Sequence, residues 1–512
     1  MAYVASQPVQ QQSGRAFRRL FGLGATILLL VLPQSTVHAA ETGFELTFAP
    51  SVSLKPVTAR VYVMLATPGS PGEPRLGPDW FQPQPFYALD VTDWKPGTPL
   101  RVGSQAMGYP GPVSELPAGD YAIQAVIRFN KDTHKIGDGD GNAYGPIVKA
   151  QVDPKSPKLI RLNVDTMVPP RVFAETDRIK LVELESPKLS AFHGRPIKHR
   201  AAVILPEGVQ PGPEGKKLPT VYVIPGFGGD HFAAARMKDS PKFSFARDFL
   251  RVILDPDCGT GHHVFADSAT NGPRGAALIE EFIPYIETKF PAIPDPRARL
   301  LNGHSSGGWS SLWLQVTYPE FFGGTWSTSP DPVDFRDFQK IDLYAAGENM
   351  YRDQKGGRRP IARMGGKPIL FYDLFSKLDD VIGWGGQLGS FEAVFSPLDP
   401  AGKPRKLWNR ASGAIDPEVA KSWEAYDIRI ILERKWPSLS PHLKHKLHII
   451  TGSQDTFYLE GAVRLLQETL VKYVSDAEIE VIPDRDHFDL VDPKLARRID
   501  EEMHAAVMDF SR

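Results

Sequence analysis

The sequence predicts an α/β fold, a mostly parallel sheet with helices on both faces, preceded by a small all-β sandwich-like domain. Three observations lead there. From about residue 171 onward, short and nearly uniform apolar runs alternate with helical patterns, as expected of strands covered on both sides by helices. The preceding segment, residues 41–168, carries short alternating or apolar runs separated by proline- and glycine-rich turns. Between the two helical stretches of the later segment, Leu300-Leu301-Asn302 runs into Gly303-His304-Ser305-Ser306-Gly307 and then a helical pattern, a sharp strand-to-helix turn with a serine at its tip.

In the β region the runs Phe44 to Phe48, Ala59 to Leu65, Tyr121 to Phe129, Ile147 to Val152 and Leu159 to Val164 read as antiparallel strands, and Pro169-Pro170 marks the boundary with the second domain. In that domain, residues 171–512, strands are expected near Ala201 to Leu205, Thr220 to Ile224, Phe249 to Leu254, Arg299 to Leu301, Gly324 to Ser327, Leu447 to Thr451 and Glu478 to Ile482. Helical patterns fall between them, notably Ala276 to Glu287 and Leu459 to Tyr473.

The serine turn carries chemistry as well as geometry. A hydroxyl is a poor nucleophile until a base takes its proton, and Gly303 and Gly307 let neighbouring backbone approach Ser305 closely. Asp455 follows the strand ending at Gly452, where a strand-end carboxylate belongs, and His487 lies on the loop after the strand ending at Ile482. Serine, aspartate and histidine in that order, each past the C-terminal end of a strand, is the arrangement of α/β-hydrolases. An oxyanion hole is expected from the N–H groups of Ser306 and of Phe227, on the loop Pro225-Gly226-Phe227-Gly228-Gly229.

With Gly303-His304-Ser305-Ser306-Gly307-Gly308, and with Phe265-Ala266-Asp267-Ser268-Ala269-Thr270-Asn271-Gly272-Pro273 leading into the helix before the elbow strand, the chain resembles the putative-esterase family of α/β-hydrolases from about Ile179 onward. That family groups esterase D, enterochelin esterases, feruloyl and acetyl-xylan esterases and the mycolyltransferases. The resemblance implies ester hydrolysis through an acyl-enzyme, with Ser305, Asp455 and His487 on the triad positions. Pro225 stands where many relatives carry histidine, which leaves the second oxyanion donor open between Phe227 and Gly228. The separation of Ser305 from Asp455 is long for the family and implies an inserted cap at about residues 330–441. Its Trp384, Trp408, Trp423 and Trp436 would either line an apolar substrate pocket or form the core of the cap.

The N-terminus reads as a signal peptide over residues 1–39. Arg15, Arg18 and Arg19 precede the apolar run Leu20 to Leu32, too short for a stable membrane span, and Val37-His38-Ala39 offers a small-residue cleavage site. The expected location is periplasmic or secreted, reached by the general or the twin-arginine route, with no membrane span after cleavage. A formal net charge of -1 argues against nucleic acid as a partner. Cys258 is the only cysteine, so no intramolecular disulfide forms, and its place just after a buried strand suits packing rather than catalysis.

Two metal-like patterns do not hold up as ligand sets. In Asp138-Gly139-Asp140-Gly141-Asn142 an EF-hand loop would need glycine at Ala143 and a carboxylate at Lys149, so a hairpin turn is expected. His262-His263 with Asp267 has no spaced partner to complete a ligand set, and these histidines are expected to line the active-site rim or a loop. No metal and no cofactor is therefore expected. The function expected is that of an exported serine ester hydrolase acting on a small-molecule or glycan-linked ester. The same residues would serve an acyltransferase or a serine peptidase. A surface protein that binds a glycan or partner without catalysis is the alternative from another class, and a serine-reactive probe separates it from the enzymes.

Overall fold

A computed structural model of the chain describes residues 42–156, 158–237 and 248–508. The expected signal peptide lies outside the described residues. Among them, no helix is long and apolar enough to cross a membrane.

The N-terminal region contains β1 Gly43–Phe48, β2 Val57–Ala66, β3 Phe86–Trp94, β4 Leu100–Val102, β5 Met107–Tyr109, β6 Gly119–Arg128, β7 Ala143–Tyr144, β8 Val148–Val152, β9 Leu159–Val164 and β10 Thr166–Met167. One sheet has the order β4-β1-β9 and the other β10-β7-β6-β2-β3-β5, with β8 also on β6. The pairing is not antiparallel throughout, as the sequence suggested: β1 and β9 run parallel, with Phe44 opposite Ile160. These first and last long strands of the region close its smaller sheet after the chain has built the larger one.

Phe44, Leu46 and Leu162 of the small sheet pack on Val61, Val63 and Leu65 of β2. The other face of β2 is not solvated. Tyr62 and Met64 join a core shared with Tyr222, Val252 and Leu301 of the second domain. This explains an uninterrupted buried run from Arg60 to Ala66 in a strand that alternation alone would leave half wet.

The second domain is built on β11 Ile179–Glu185, β12 Lys198–Ile204, β13 Thr220–Ile224, β14 Leu250–Leu254, β15 Arg299–His304, β16 Gly324–Thr328, the hairpin β17 Pro360–Met364 and β18 Lys367–Phe371, β19 Leu447–Gly452 and β20 Glu478–Ile482. Its sheet has the order β11-β12-β14-β13-β15-β16-β19-β20. β12 is antiparallel to both neighbours, and every pair from β14 to β20 is parallel. This is an α/β-hydrolase sheet. Its central strands TVYVI and LRVIL are buried at every position, because helices cover both faces.

The helices that bear on the site are α1 Ser306–Thr317, α2 Tyr372–Ile382, α3 Gln387–Phe395, α4 Ile428–Leu443 and α5 Glu460–Lys472. A helical run, Arg274–Ala277, a π-turn over Leu278–Phe282 and Ile283–Lys289, precedes the elbow strand. The segment between β16 and β19 holds the hairpin and α2 to α4. Of its tryptophans, Trp408 and Trp423 are buried, the latter among Phe335, Phe338 and Phe395. These are core residues of the insertion.

Polar contacts tie the N-terminal region to that insertion. Arg60 donates to the carbonyls of Asp380 and Val381, and the Tyr62 hydroxyl donates to the carbonyl of Ile382 at 2.7 Å. These are the carbonyls that the last turn of α2 leaves without helical partners, and a cation there also suits the negative end of the helix dipole.

Candidate active site

Ser305 sits between β15 and α1 with φ 61° and ψ -127°, a conformation that costs a non-glycine residue strain and is held by its surroundings. Its N–H donates to the Thr328 carbonyl at 3.0 Å, and its own carbonyl accepts from Trp309, opening α1. The flanking glycines are needed for space. A Cβ on Gly303 would fall onto the Gly307 carbonyl, and one on Gly307 onto the carbonyl of Ile224 in β13. Gly226 is constrained less severely: a Cβ there would lie 3.3 Å from the Ser305 Cβ and 3.1 Å from the His304 carbonyl oxygen, tight enough that the neighbours must give. The loop after β13 is thus pressed against the serine.

His487 follows β20, and Asp455 follows β19. Their side chains meet with Nδ1 2.8 Å from Oδ2, both buried. Asp455 also accepts from the Phe457 amide at 2.9 Å. Burial works to raise the Asp455 carboxyl, but the His487 ring and these donors outweigh it and hold the group below its ordinary value, so it is ionised. The His487 ring packs edge-on against Phe457 and lies against His304, ring centroids 4.9 and 4.5 Å apart.

Ser305, His487, Gly226 and Phe227 line one cavity of about 520 Å3, with Asp455 behind His487 and outside the lining. Ser306 is buried at the start of α1, and its hydroxyl donates to Asp331 Oδ2 at 2.5 Å. Of the expected site residues, Ser305, His487 and Phe227 thus share one cavity, Asp455 lies on His487, and Ser306 heads α1.

Several groups around them had no sequence signal. Asp331, three residues beyond β16, reaches the cavity, and burial lifts its carboxyl to about 6, with the Ser306 hydroxyl and His487 pulling the other way. His262 and His263, which the sequence does single out as rim or loop residues, lie in the segment after β14 and are buried. His262 Nδ1 accepts from Val264, so Nε2 carries the proton and donates to the Pro225 carbonyl at 2.8 Å, bracing the glycine loop. Burial keeps His262 neutral, its pKa lowered to about 4. From the insertion, Arg363 on β17 donates to the Asp455 carbonyl at 3.0 Å and pairs with Glu460 at 2.6 Å, fixing the acid loop.

The remaining wall is aromatic, and part of it comes from the N-terminal region. Trp80 packs against Phe227, Phe375 and Phe457, and Phe81 against Phe457 and Phe488. His134 and Lys135 also line the cavity; His134 Nδ1 is 2.6 Å from Asp257 and Lys135 pairs with Asp230. Trp384, Trp408, Trp423 and Trp436 are not among the lining residues.

Among the described residues, His448, Glu478 and Glu502 bring three possible metal-ligand atoms within 4.8 Å of one another. They are already used within the fold, His448 on Glu478 and Glu502 on the Trp326 indole N–H.

An elbow serine and a buried histidine–carboxylate pair at the C-terminal edge of this sheet define the chain as an α/β-hydrolase. The Putative esterase family model matches residues 194–469, more than half of the sequence, and the chain belongs to that family. No curated protein matches the sequence. Among solved structures it is similar to the Staphylococcus aureus fluorophosphonate-binding serine hydrolase FphF, with 14% identity, 64% of this chain and 98% of that chain covered, and a TM-score of 0.38. It is also similar to an S-formylglutathione hydrolase from Agrobacterium tumefaciens, at 13% identity, 65% and 97% coverage and a TM-score of 0.39. A ferulic acid esterase matches at 12% identity, 65% and 99% coverage, also with a TM-score of 0.39.

Proposed function

We propose that the protein is an exported serine carboxylic-ester hydrolase. The observation that carries this reading is the buried His487–Asp455 contact of 2.8 Å beside a strained Ser305, with the Gly226 loop pressed against the serine. With Asp455 accepting from Nδ1, His487 presents Nε2 as the base. Ser305 Oγ attacks the ester carbonyl, forming a C–O bond while its proton passes to His487. The oxyanion is received by the N–H groups of Ser306 and Phe227. Collapse of the intermediate expels the alcohol, which takes the proton from His487. Water, activated by the same histidine, then releases the acid and restores Ser305.

The hydrolase begins near residue 171 in this reading, and the N-terminal region supplies part of the substrate wall. Trp80, Phe81, Phe375 and Phe457 suit an ester with a bulky apolar or aromatic group. Residues 1–39 are assigned as the export signal.

The test is hydrolysis of short and longer p-nitrophenyl esters by the mature chain, with labelling by a fluorophosphonate probe. Wild type is expected to hydrolyse and label. Ser305→Ala should lose both, and His487→Ala should lose turnover. A folded wild type that neither hydrolyses nor labels refutes the assignment.

A further inference from the structure

A second cavity, of about 1300 Å3, opens where the N-terminal region, the insertion and the hydrolase sheet meet. On its wall stands Arg274, 7% exposed. Its Nε donates to the Asn271 carbonyl at 3.1 Å. Among the described residues its two terminal nitrogens make no hydrogen bond, and no carboxylate oxygen lies within ion-pair distance. A guanidinium withdrawn from water normally has a carboxylate or several carbonyls for company, as Arg128 has in the same cavity. Arg274 has one carbonyl.

Around it stand polar atoms that are fully buried and find no partner. The Asn271 side-chain nitrogen is buried without a partner, although its Oδ1 accepts from Thr260 at 2.7 Å. The Thr270 hydroxyl and His199 Nε2 are likewise buried and unpartnered, and all three residues line this cavity. The nearby acids are engaged elsewhere: Asp132 is held by both terminal nitrogens of Arg195, and Asp255 by His231 and the Asp257 amide. What the wall lacks is an acceptor that carries negative charge.

We propose that this cavity binds an organic monocarboxylate, its two oxygens received by the terminal nitrogens of Arg274. A planar fork matches a carboxylate. The other buried guanidinium groups of this wall, Arg60 and Arg128, already spend their terminal nitrogens on protein acceptors, so Arg274 alone, with Asp132 and Asp255 close by, is left for a single negative charge and disfavours a dianion. The volume leaves room for a sizeable organic body. The site is separate from the Ser305 cavity and does not depend on the ester-hydrolase assignment.

The test is a crystal of the mature chain soaked with 4-bromobenzoate, read by the anomalous signal of bromine, together with calorimetry of 4-bromobenzoate, phosphate and sulfate binding. A bromine peak in this cavity with the carboxylate on Arg274 is expected, as is at least tenfold weaker binding by Arg274→Gln. The crystal alone decides if that variant fails to fold. Bromobenzoate confined to the Ser305 cavity, or only water beside Arg274, overturns the proposal. Equal binding of phosphate or sulfate at Arg274 overturns the monocarboxylate assignment.

Discussion

Replacing Asp331 by asparagine should stabilise the protein at neutral pH and gain less as the solution is made acid. The carboxyl is buried beside the site, and its pKa rises from the ordinary 3.8 to about 6. The folded chain therefore holds this proton more tightly than the unfolded chain. The stabilisation that comes from the protonated form is complete below about 3.8 and is lost as pH rises through about 6. A difference from 3.8 to about 6, at roughly 1.4 kcal/mol for each pH unit, amounts to about 3 kcal/mol of penalty at pH 7.5. Asparagine keeps an acceptor for the Ser306 hydroxyl and carries no charge at any pH. Urea unfolding of both proteins from pH 4 to 7.5 should show the variant-minus-wild-type stability increasing by about 2–2.5 kcal/mol across that range, since part of the penalty is already present at pH 4. A difference that stays flat with pH would mean that folding does not perturb this carboxyl, and the reasoning would fail.

Other outcomes rest on the same geometry. Asp455→Asn should leave the fold intact and lower kcat by about 10⁴, since asparagine can hold the histidine in the wrong tautomer. Gly226→Ala places a Cβ 3.3 Å from that of Ser305 and should cost about 10²–10³ in kcat, the loss typical of an oxyanion donor, with a smaller effect on KM. Trp80→Ala should lower kcat/KM for aromatic or long-chain esters by about tenfold or more while sparing acetate esters, which a substrate series measures directly. N-terminal sequencing of the exported protein should start at Ala40 or Glu41.

The parts of the fold legible in sequence are those that local pattern controls. β13, β14 and β19 are short apolar runs bounded by turns, and Ser305, Asp455 and His487 follow strand ends that such runs announce. β11 carries lysine and glutamate along an edge, IKLVELE, and gives no such signal. Residues that act across long separations were equally invisible. Trp80 and His134 reach the Ser305 cavity from loops of the N-terminal region, and Arg363 braces the Asp455 loop from more than ninety positions away. His262 shows a different limit: adjacent histidines suggested a rim or a loop, and the fold buries both and uses one as a neutral donor to Pro225. The tryptophans of the insertion attracted attention because of their size, but size is what a core needs as well.

The double burial of β2 bears on how this molecule comes into being. Its inward side chains, Val61 and Val63, can find their partners as soon as the first 170 or so residues leave the ribosome, but Tyr62 and Met64, which have only their own-sheet neighbours such as Phe86, Ala88 and Val126, gain the rest of their cover when the later chain, α2 included, follows. During synthesis the early segment must carry a sticky outer surface for the time needed to make the rest. Excising it would strip the later domain of the same cover, so a shortened chain starting near residue 171 should aggregate rather than report a simpler enzyme.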